Sequence, residues 1–243
     1  MQKTGKIVFY STSLMLIVLH LSQWIQNQQA FSVQEILLVG ANLVPKSEIR
    51  QAVEEEARKH IFKVDLKRIE KRLNAFPQVK KVRVSRVFPN SLRIELEERQ
   101  PVALIIDNGI WGVDAEGVLL PNLQSVRGID FPVIVGLSLQ HYVPGEVVKN
   151  PRIRELAEIL GELRQQNPAV YHLISEITMN NLTGVQVTLM TRQVPVILGK
   201  DRLMHKFNKL KPLYQYLLVT DEIDSVRYMD LRYRDQIVLK RRS

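Results

Sequence analysis

The sequence predicts an α+β chain: a single N-terminal transmembrane helix, a small βααββ unit, then a larger antiparallel-sheet domain with two helices. Three observations predict it. An uncharged run of nineteen residues, Ile7 to Ile25, follows Lys3 and Lys6. Between residues 31 and 98, apolar positions recur first at helical and then at alternating spacing. Beyond Pro101, short apolar runs are punctuated by Asp, Asn and Gly turns.

As a helix, the run from Ile7 to Ile25 is about 28 Å long, close to the ~30 Å hydrocarbon core of a bilayer. Ser11, Thr12, Ser13, His20, Ser22 and Gln23 dilute it, but hydroxyls bond back to helix carbonyls at little cost. Tyr10 and Trp24 lie near its two ends, as aromatic belts do. The positive-inside rule puts residues 1–6 in the cytoplasm and everything beyond residue 26 outside. A cleaved signal peptide shares the basic start and apolar middle. This stretch is longer than such a segment needs, and Gln28 and Ala30 make a poor small-x-small cleavage pair. An uncleaved anchor over residues 7–25 is the expectation, with a cleaved signal or a buried helix as the alternatives.

Residues 31–98 read as one unit. Phe31 to Val39 is apolar and ends at the turn Gly40-Ala41-Asn42. Pro45 opens a helix carrying Ile49, Val53 and Ala57 on one side. Asp65 is the N-cap of a second, with Leu66, Ile69, Leu73 and Phe76 as its stripe and Pro77 as its stop. Val82, Val84 and Phe88 then form one strand, and Leu92, Ile94 and Leu96 another, joined by a turn at Pro89-Asn90. Two helices on one face of a three-stranded sheet is the predicted packing.

Residues 99–240 form the second unit, with no Gly/Ser linker before it. Strands are predicted at Val102–Ile106, Ile110–Val113 and Val118–Leu120, then near 173–179, 184–190 and 194–199. The chain closes with Val226–Tyr233, a turn at Arg234-Asp235, and Gln236–Lys240. A helix from about Pro151 to Gln166 buries Ile153, Leu156, Leu160 and Leu163, and another from about Arg202 to Leu218 is broken or bent near Pro212.

Composition narrows the function classes. The chain has 243 residues, 11 Gly, 11 Pro and no Cys, so disulfide scaffolds, thiolate metal sites and cysteine nucleophiles are excluded. Its net charge of +9 divides as +2 over residues 1–30, +4 over 31–98 and +3 beyond, so no part is a polybasic tail. The densest stretch runs from Lys67 to Arg93, where Lys67, Arg68, Lys71, Arg72, Lys80, Lys81, Arg83, Arg86 and Arg93 face only Glu70. It reads as a solvated helix–hairpin face, or as a contact for anionic lipid or an acidic partner. No nucleic-acid recognition motif accompanies it.

Few residues of the sequence fall into patterns that carry catalytic or metal chemistry. The histidines at 20, 60, 141, 172 and 205 are scattered away from metal-ligand spacing. Glu54-Glu55-Glu56 reads as a solvated helix face, because successive helical residues point about 100° apart. No nucleophile elbow or phosphate-cradling loop is present in the sequence. The expectation is a binding protein without an enzymatic role, metal or cofactor, gripping partners by sheet edges or exposed helices rather than a pocket.

Gly40-Ala41-Asn42, Pro45-Lys46-Ser47-Glu48-Ile49 and the stretch Phe76 to Ile94 resemble a POTRA domain of the FtsQ/DivIB cell-division proteins. Glu97-Glu98-Arg99-Gln100-Pro101-Val102-Ala103 and Trp111 to Gly117 resemble the start of that family's β domain. Phe131 to Leu137, Val196 to Lys200 and Tyr228 to Tyr233 resemble later pieces, in the family's order. The resemblance implies boundaries at 1–6 for a cytoplasmic tail, 7–25 for the span, 31–98 for a POTRA-like domain and 99–240 for the β domain. It also implies a bitopic, noncatalytic scaffold of the inner membrane at the division septum. Such a scaffold binds FtsB/DivIC-like and FtsL-like coiled-coil partners and links early division proteins to septal wall synthesis. The partner would add a strand at the terminal β edge, which points to Arg232, Tyr233, Asp235, Gln236 and Val238. The POTRA-like unit would offer its basic face, Lys67, Arg68, Lys71, Arg72, Lys80 and Lys81. Two places depart from the family's pattern. Asn180-Asn181-Leu182-Thr183 stands where many members carry Arg and Trp, and Arg234-Asp235-Gln236 stands where a Gly-containing turn is usual. A POTRA-containing chaperone or secretion factor for outer-membrane substrates is the rival reading, and an anchored wall hydrolase a more distant one.

Overall fold

The computed structural model describes residues 13–18, 20, 29–107, 109–121, 131–136, 143–180, 182–234 and 236–242. Residues 13–18 are helical, with Leu14, Met15, Leu16, Ile17 and Val18 all more than half exposed. Among the described residues no helix is long and apolar enough to cross a membrane. Most of the run expected to span, residues 7–25, lies outside them. The chain divides into two compact units, Met1–Glu98 and Arg99–Ser243.

In the first unit, β1 (Glu35–Val39) is followed by α1 (Lys46–Ala57), α2 (Leu66–Leu73), β2 (Val79–Val87) and β3 (Ser91–Glu98). The sheet order is β1-β3-β2, with β1 parallel and β2 antiparallel to β3. Asp65 caps α2 by accepting a hydrogen bond from the Arg68 amide at 3.1 Å. Ile49, Val53, Ile69 and Leu73 of the helices pack on Val82, Val84, Leu92, Ile94 and Leu96 of the sheet. Alternation along β3 puts Glu98 on this same inward side. Its buried carboxylate accepts from the amides of Asn42, Leu43 and Val44, all at 2.8–2.9 Å. Just before that loop Gly40 has φ +81°, and a Cβ there would lie 2.1 Å from the Leu96 carbonyl oxygen.

Glu54-Glu55-Glu56 is not the solvated face expected. Glu54 and Glu55 are exposed, but Glu56 is buried and accepts from Lys59 Nζ (2.7 Å), the Asp65 amide (3.0 Å) and Arg68 (3.4 Å). Its position four residues after Ala52 and three after Val53 turns it toward the loop before α2. The Asp65 amide of that loop, with Lys59 and with Arg68 of α2, offsets its desolvation.

The second unit contains β4 (Pro101–Ile106), β5 (Ile110–Asp114), β6 (Leu119–Leu120), β7 (Val133–Val135), α3 (Pro151–Gln166) and α4 (Pro168–Tyr171). It continues with β8 (Ile174–Asn180), β9 (Gly184–Leu189), β10 (Pro195–Gly199), α5 (Leu203–Val219), β11 (Val226–Asp230) and β12 (Val238–Arg241). All nine strands join one sheet in the order β12-β11-β10-β9-β8-β7-β4-β5-β6. The expected antiparallel sheet is therefore corrected to a mixed one: β4–β7, β7–β8 and β10–β11 run parallel. The parallel pairs arise where a long connection returns the chain in the same direction, through α3 and α4 before β8 and through α5 before β11. A third helix, α4, adds to the two expected, and α5 runs uninterrupted through Pro212. Ile153, Leu156, Leu160 and Leu163 of α3 are buried with Phe207, Leu210 and Leu217 of α5 in one core. Buried Tyr171 on α4 donates to the Val102 carbonyl at 2.8 Å, and burial pushes its hydroxyl up to about 12.

The two ends of this sheet differ. Beyond β6 the segment 143–148 closes the row: the Leu119 amide donates to the Glu146 carbonyl (3.0 Å), the Gly145 amide to the Leu119 carbonyl (2.8 Å), and Val118 bridges to Val147. Beyond β12 no strand follows among the described residues.

Candidate partner-binding edge

β11 and β12 build the open end. Their antiparallel register pairs Asp230 with Val238, Met229 with Leu239 and Tyr228 with Lys240, so Val238 begins the end strand. Every described residue from Arg232 to Arg242 is exposed except half-buried Leu239, which packs against the core. The backbone of an end strand offers N–H and C=O groups to an incoming chain.

Strand boundaries differ from those expected. β11 stops at Asp230 rather than Tyr233, and β12 begins at Val238 rather than Gln236. Arg232, Tyr233 and Gln236 therefore lie in the loop between them, and Asp235 lies outside the described residues. The cause is the Asp230 side chain. Its buried carboxylate accepts from the Arg232 amide at 3.0 Å, a local turn that competes with the ladder. The same carboxylate holds the Arg232 guanidinium at 2.6–3.1 Å. The Leu231 amide donates to the Ile197 carbonyl at 2.9 Å, which fastens the loop to β10.

Arg232 is thus a fixed cation, half held by Asp230 and 44% exposed at its side chain. Tyr233, 49% exposed, projects beside it. Tyr233, Gln236 and Ile237 line one shallow crevice with Lys209 and His205 of α5. Val238 is placed on the end strand instead. Sequence reasoning missed the two residues that hold this edge in shape, Asp230 and Lys206. Lys206 is buried, donates to the Leu198 carbonyl at 2.7 Å and reaches Asp201 at 3.5 Å. An Asp two residues before the Arg was the available signal for the first. Nothing local signals a buried lysine.

Hydrogen bonding to Arg232 holds the Asp230 carboxyl below its ordinary range, against its burial. A carboxyl lowered on folding stabilises above its unfolded pKa of about 3.9, and that contribution is lost as pH falls through the folded value. Unit two is therefore expected to have level stability above about pH 5 and to weaken below about pH 4. In Asp230→Asn the acid limb should flatten in thermal melts, while the plateau drops by about 1–2 kcal/mol.

The basic residues expected to share one face of the first unit do not. Lys67 and Lys71 are exposed on α2, while Arg68 and Arg72 bind Glu55, and Arg68 also Glu56. Arg86 donates to the Ile61 and Val64 carbonyls at 2.8 and 2.7 Å. Lys81 stands on the sheet face opposite the helices, registered with Glu97 as Arg83 is with Glu95. Helix and strand cations thus point to different sides, and several are spent inside the unit. Among the described residues, no group of three or more His, Asp or Glu could hold a metal ion.

Residues 31–99 match the family model described as POTRA domain, FtsQ-type, and residues 103–232 match Cell division protein FtsQ/DivIB, C-terminal. Relatives called cell division protein FtsQ align over most of the chain. The one from Geotalea daltonii is 29% identical over 181 residues, 74% of this chain and 65% of the relative. That from Syntrophotalea carbinolica is 26% identical over 210 residues, 86% and 74%. That from a Geobacter species is 30% identical over 183 residues, 74% and 65%. The chain thus spans just under two thirds of the first and third of these. The second match ends at Arg232, so Tyr233 and β12 lie beyond it.

Proposed function

The chain belongs to the FtsQ/DivIB family of cell-division proteins, and from that premise we propose that it is a membrane-anchored, noncatalytic scaffold of the division complex. It captures a coiled-coil partner of the FtsB/DivIC or FtsL kind by adding one strand to β12. Residues 7–25 anchor it in the inner membrane, with the two units outside the cytoplasm at the septum. Its domains are residues 31–98 and 99–240.

The observation that carries the reading is the inequality of the sheet's two ends: segment 143–148 closes one, and among the described residues no strand lies beyond β12 at the other. Tyr233 supplies a rigid amphipathic contact beside it, and Arg232 is already held in place by Asp230, so neither loses much freedom on binding. Arg232 and Arg241 are paired with Asp230 and Glu222, but Arg234, Lys240 and Arg242 still outnumber Asp235 along this stretch, which favours an acidic incoming strand.

Depleting the chain should give filamentous cells. Re-expression should restore septa, whereas a copy ending at Ile237, without β12, should not. Normal septa with outer-membrane defects on depletion would favour the chaperone reading instead. With purified full-length protein, Tyr233→Ala should weaken binding of the coiled-coil partner about tenfold or more. Lys240→Glu with Arg242→Glu should chiefly slow association and reduce its salt dependence. Unchanged affinity in Tyr233→Ala removes that residue from the site.

A further inference from the structure

Three separate segments bring aromatic rings together at one end of the first unit. Phe31 closes the short turn before β1, Phe62 sits in the turn 61–63, and Phe88 lies at the tip of the β2–β3 hairpin. Phe31 and Phe62 have ring centroids 5.9 Å apart, Phe62 and Phe88 5.3 Å, and His60 stacks on Phe62 at 5.6 Å. Rings that gather usually do so to leave water, yet Phe62 is 48% and Phe88 57% exposed. The backbone fixes this corner: the Val33 amide donates to the Lys59 carbonyl, the Gln34 amide to the Asn90 carbonyl, and Ser32 bridges to His60.

We propose that this aromatic corner is a membrane-docking foot, its rings seated at the headgroup level of an anionic bilayer. The inference rests on the anchored reading of residues 7–25. Five residues separate Ile25 from Phe31, so Phe31 stays within about 20 Å of the end of the apolar run. The polar headgroup layer adds only about 5–8 Å on each side of the hydrocarbon. The corner therefore starts within reach of the interface, and aromatic rings favour that depth. Charge agrees. No Asp or Glu occurs before Glu35, exposed Lys63 flanks Phe62, and Lys59 adds a second cation that is shared with Glu56. Lysines beside anionic headgroups add electrostatic attraction to the apolar contact.

The chain has no cysteine, so single-Cys nitroxide labelling of the full-length protein is direct. Labels would be placed at Ile17→Cys, Gln34→Cys and Asn74→Cys in bilayers of phosphatidylethanolamine and phosphatidylglycerol. Gln34 borders the corner, and Asn74 lies at the opposite end of β2 from Phe88. Collision with a water-soluble nickel chelate should be low at 17, at least threefold lower at 34 than at 74, and restored at 34 by Phe62→Ser with Phe88→Ser. Phe62→Trp with Phe88→Trp should keep the protection. A shielded 17 with 34 as accessible as 74 overturns docking, and leaves the rings to a protein partner. Protection at 34 that survives the serine pair also overturns it. An accessible 17 overturns the anchor and the docking with it.

Discussion

Glu98→Ala is expected to destabilise the first unit by about 4 kcal/mol, because it removes a buried carboxylate that three backbone amides share. Three amides, those of Asn42, Leu43 and Val44, end on this one carboxylate at 2.8–2.9 Å. Val44 and Glu98 are both buried, so water can replace the lost acceptor only in part. Each unsatisfied buried donor costs about 1–3 kcal/mol, and the loop that leads into α1 would lose the acceptor its three amides share. A unit of this size has little stability in reserve. Glu98→Gln keeps one acceptor oxygen and should lose about half as much. Amide exchange in the full-length protein checks this: protection should fall across α1, β2 and β3 while the second unit is unchanged. Equal protection in Glu98→Ala and wild type would show that the amides find other partners.

Gly184→Ala should have a comparable effect on the second unit, about 3 kcal/mol. Gly184 has φ +85°, and a Cβ there would sit 2.3 Å from the carbonyl carbon and oxygen of Gly199 and 2.8 Å from the Lys200 nitrogen. Those are backbone atoms, which cannot swing aside as a side-chain tip can. β9 must part from β10 where Val185 pairs with Gly199. The disturbance reaches the candidate edge, because the Arg232 side chain packs 3.0 Å from the Cβ position of Gly199 and the Leu231 amide bonds β10 at Ile197. Gly184→Ala should therefore lower the urea midpoint of the second unit and weaken partner binding together. Loss of stability with intact binding would show that the edge is held independently of β10.

What the sequence made legible was local. Asp65 as a cap, the α3 stripe and the clean alternation of Leu92, Ile94 and Leu96 each depend on neighbours within a turn or two. What it hid depends on distant partners. β7 is three residues of unbroken apolar character between two parallel neighbours, which leaves neither alternation nor helical period to read. Parallel pairing follows from the long connections that intervene, helical before β8 and β11 but carrying β5 and β6 between β4 and β7. Glu56 looked like one of three solvated acids because its partners, Asp65 and Arg68, come from the next loop and helix. Glu98, in spacing with Leu92, Ile94 and Leu96, falls on the inner face, but its three amide donors lie more than fifty residues away in sequence. At the edge, Arg232 and Tyr233 stood out only through the family resemblance. The Asp230 turn that takes them out of the strand could be read only from geometry.

Among the described residues the sheet of the second unit is closed beyond β6 and carries no strand beyond β12, so strand addition as proposed gives it a valence of one. A strand docked on β12 excludes every competitor, and two copies meeting edge to edge would occupy each other's only vacancy. If the proposed strand addition holds, the ratio of chain to partner should matter alongside affinity. Excess chain would act as its own antagonist, withdrawing partners into incomplete complexes and free copies into mutual pairs.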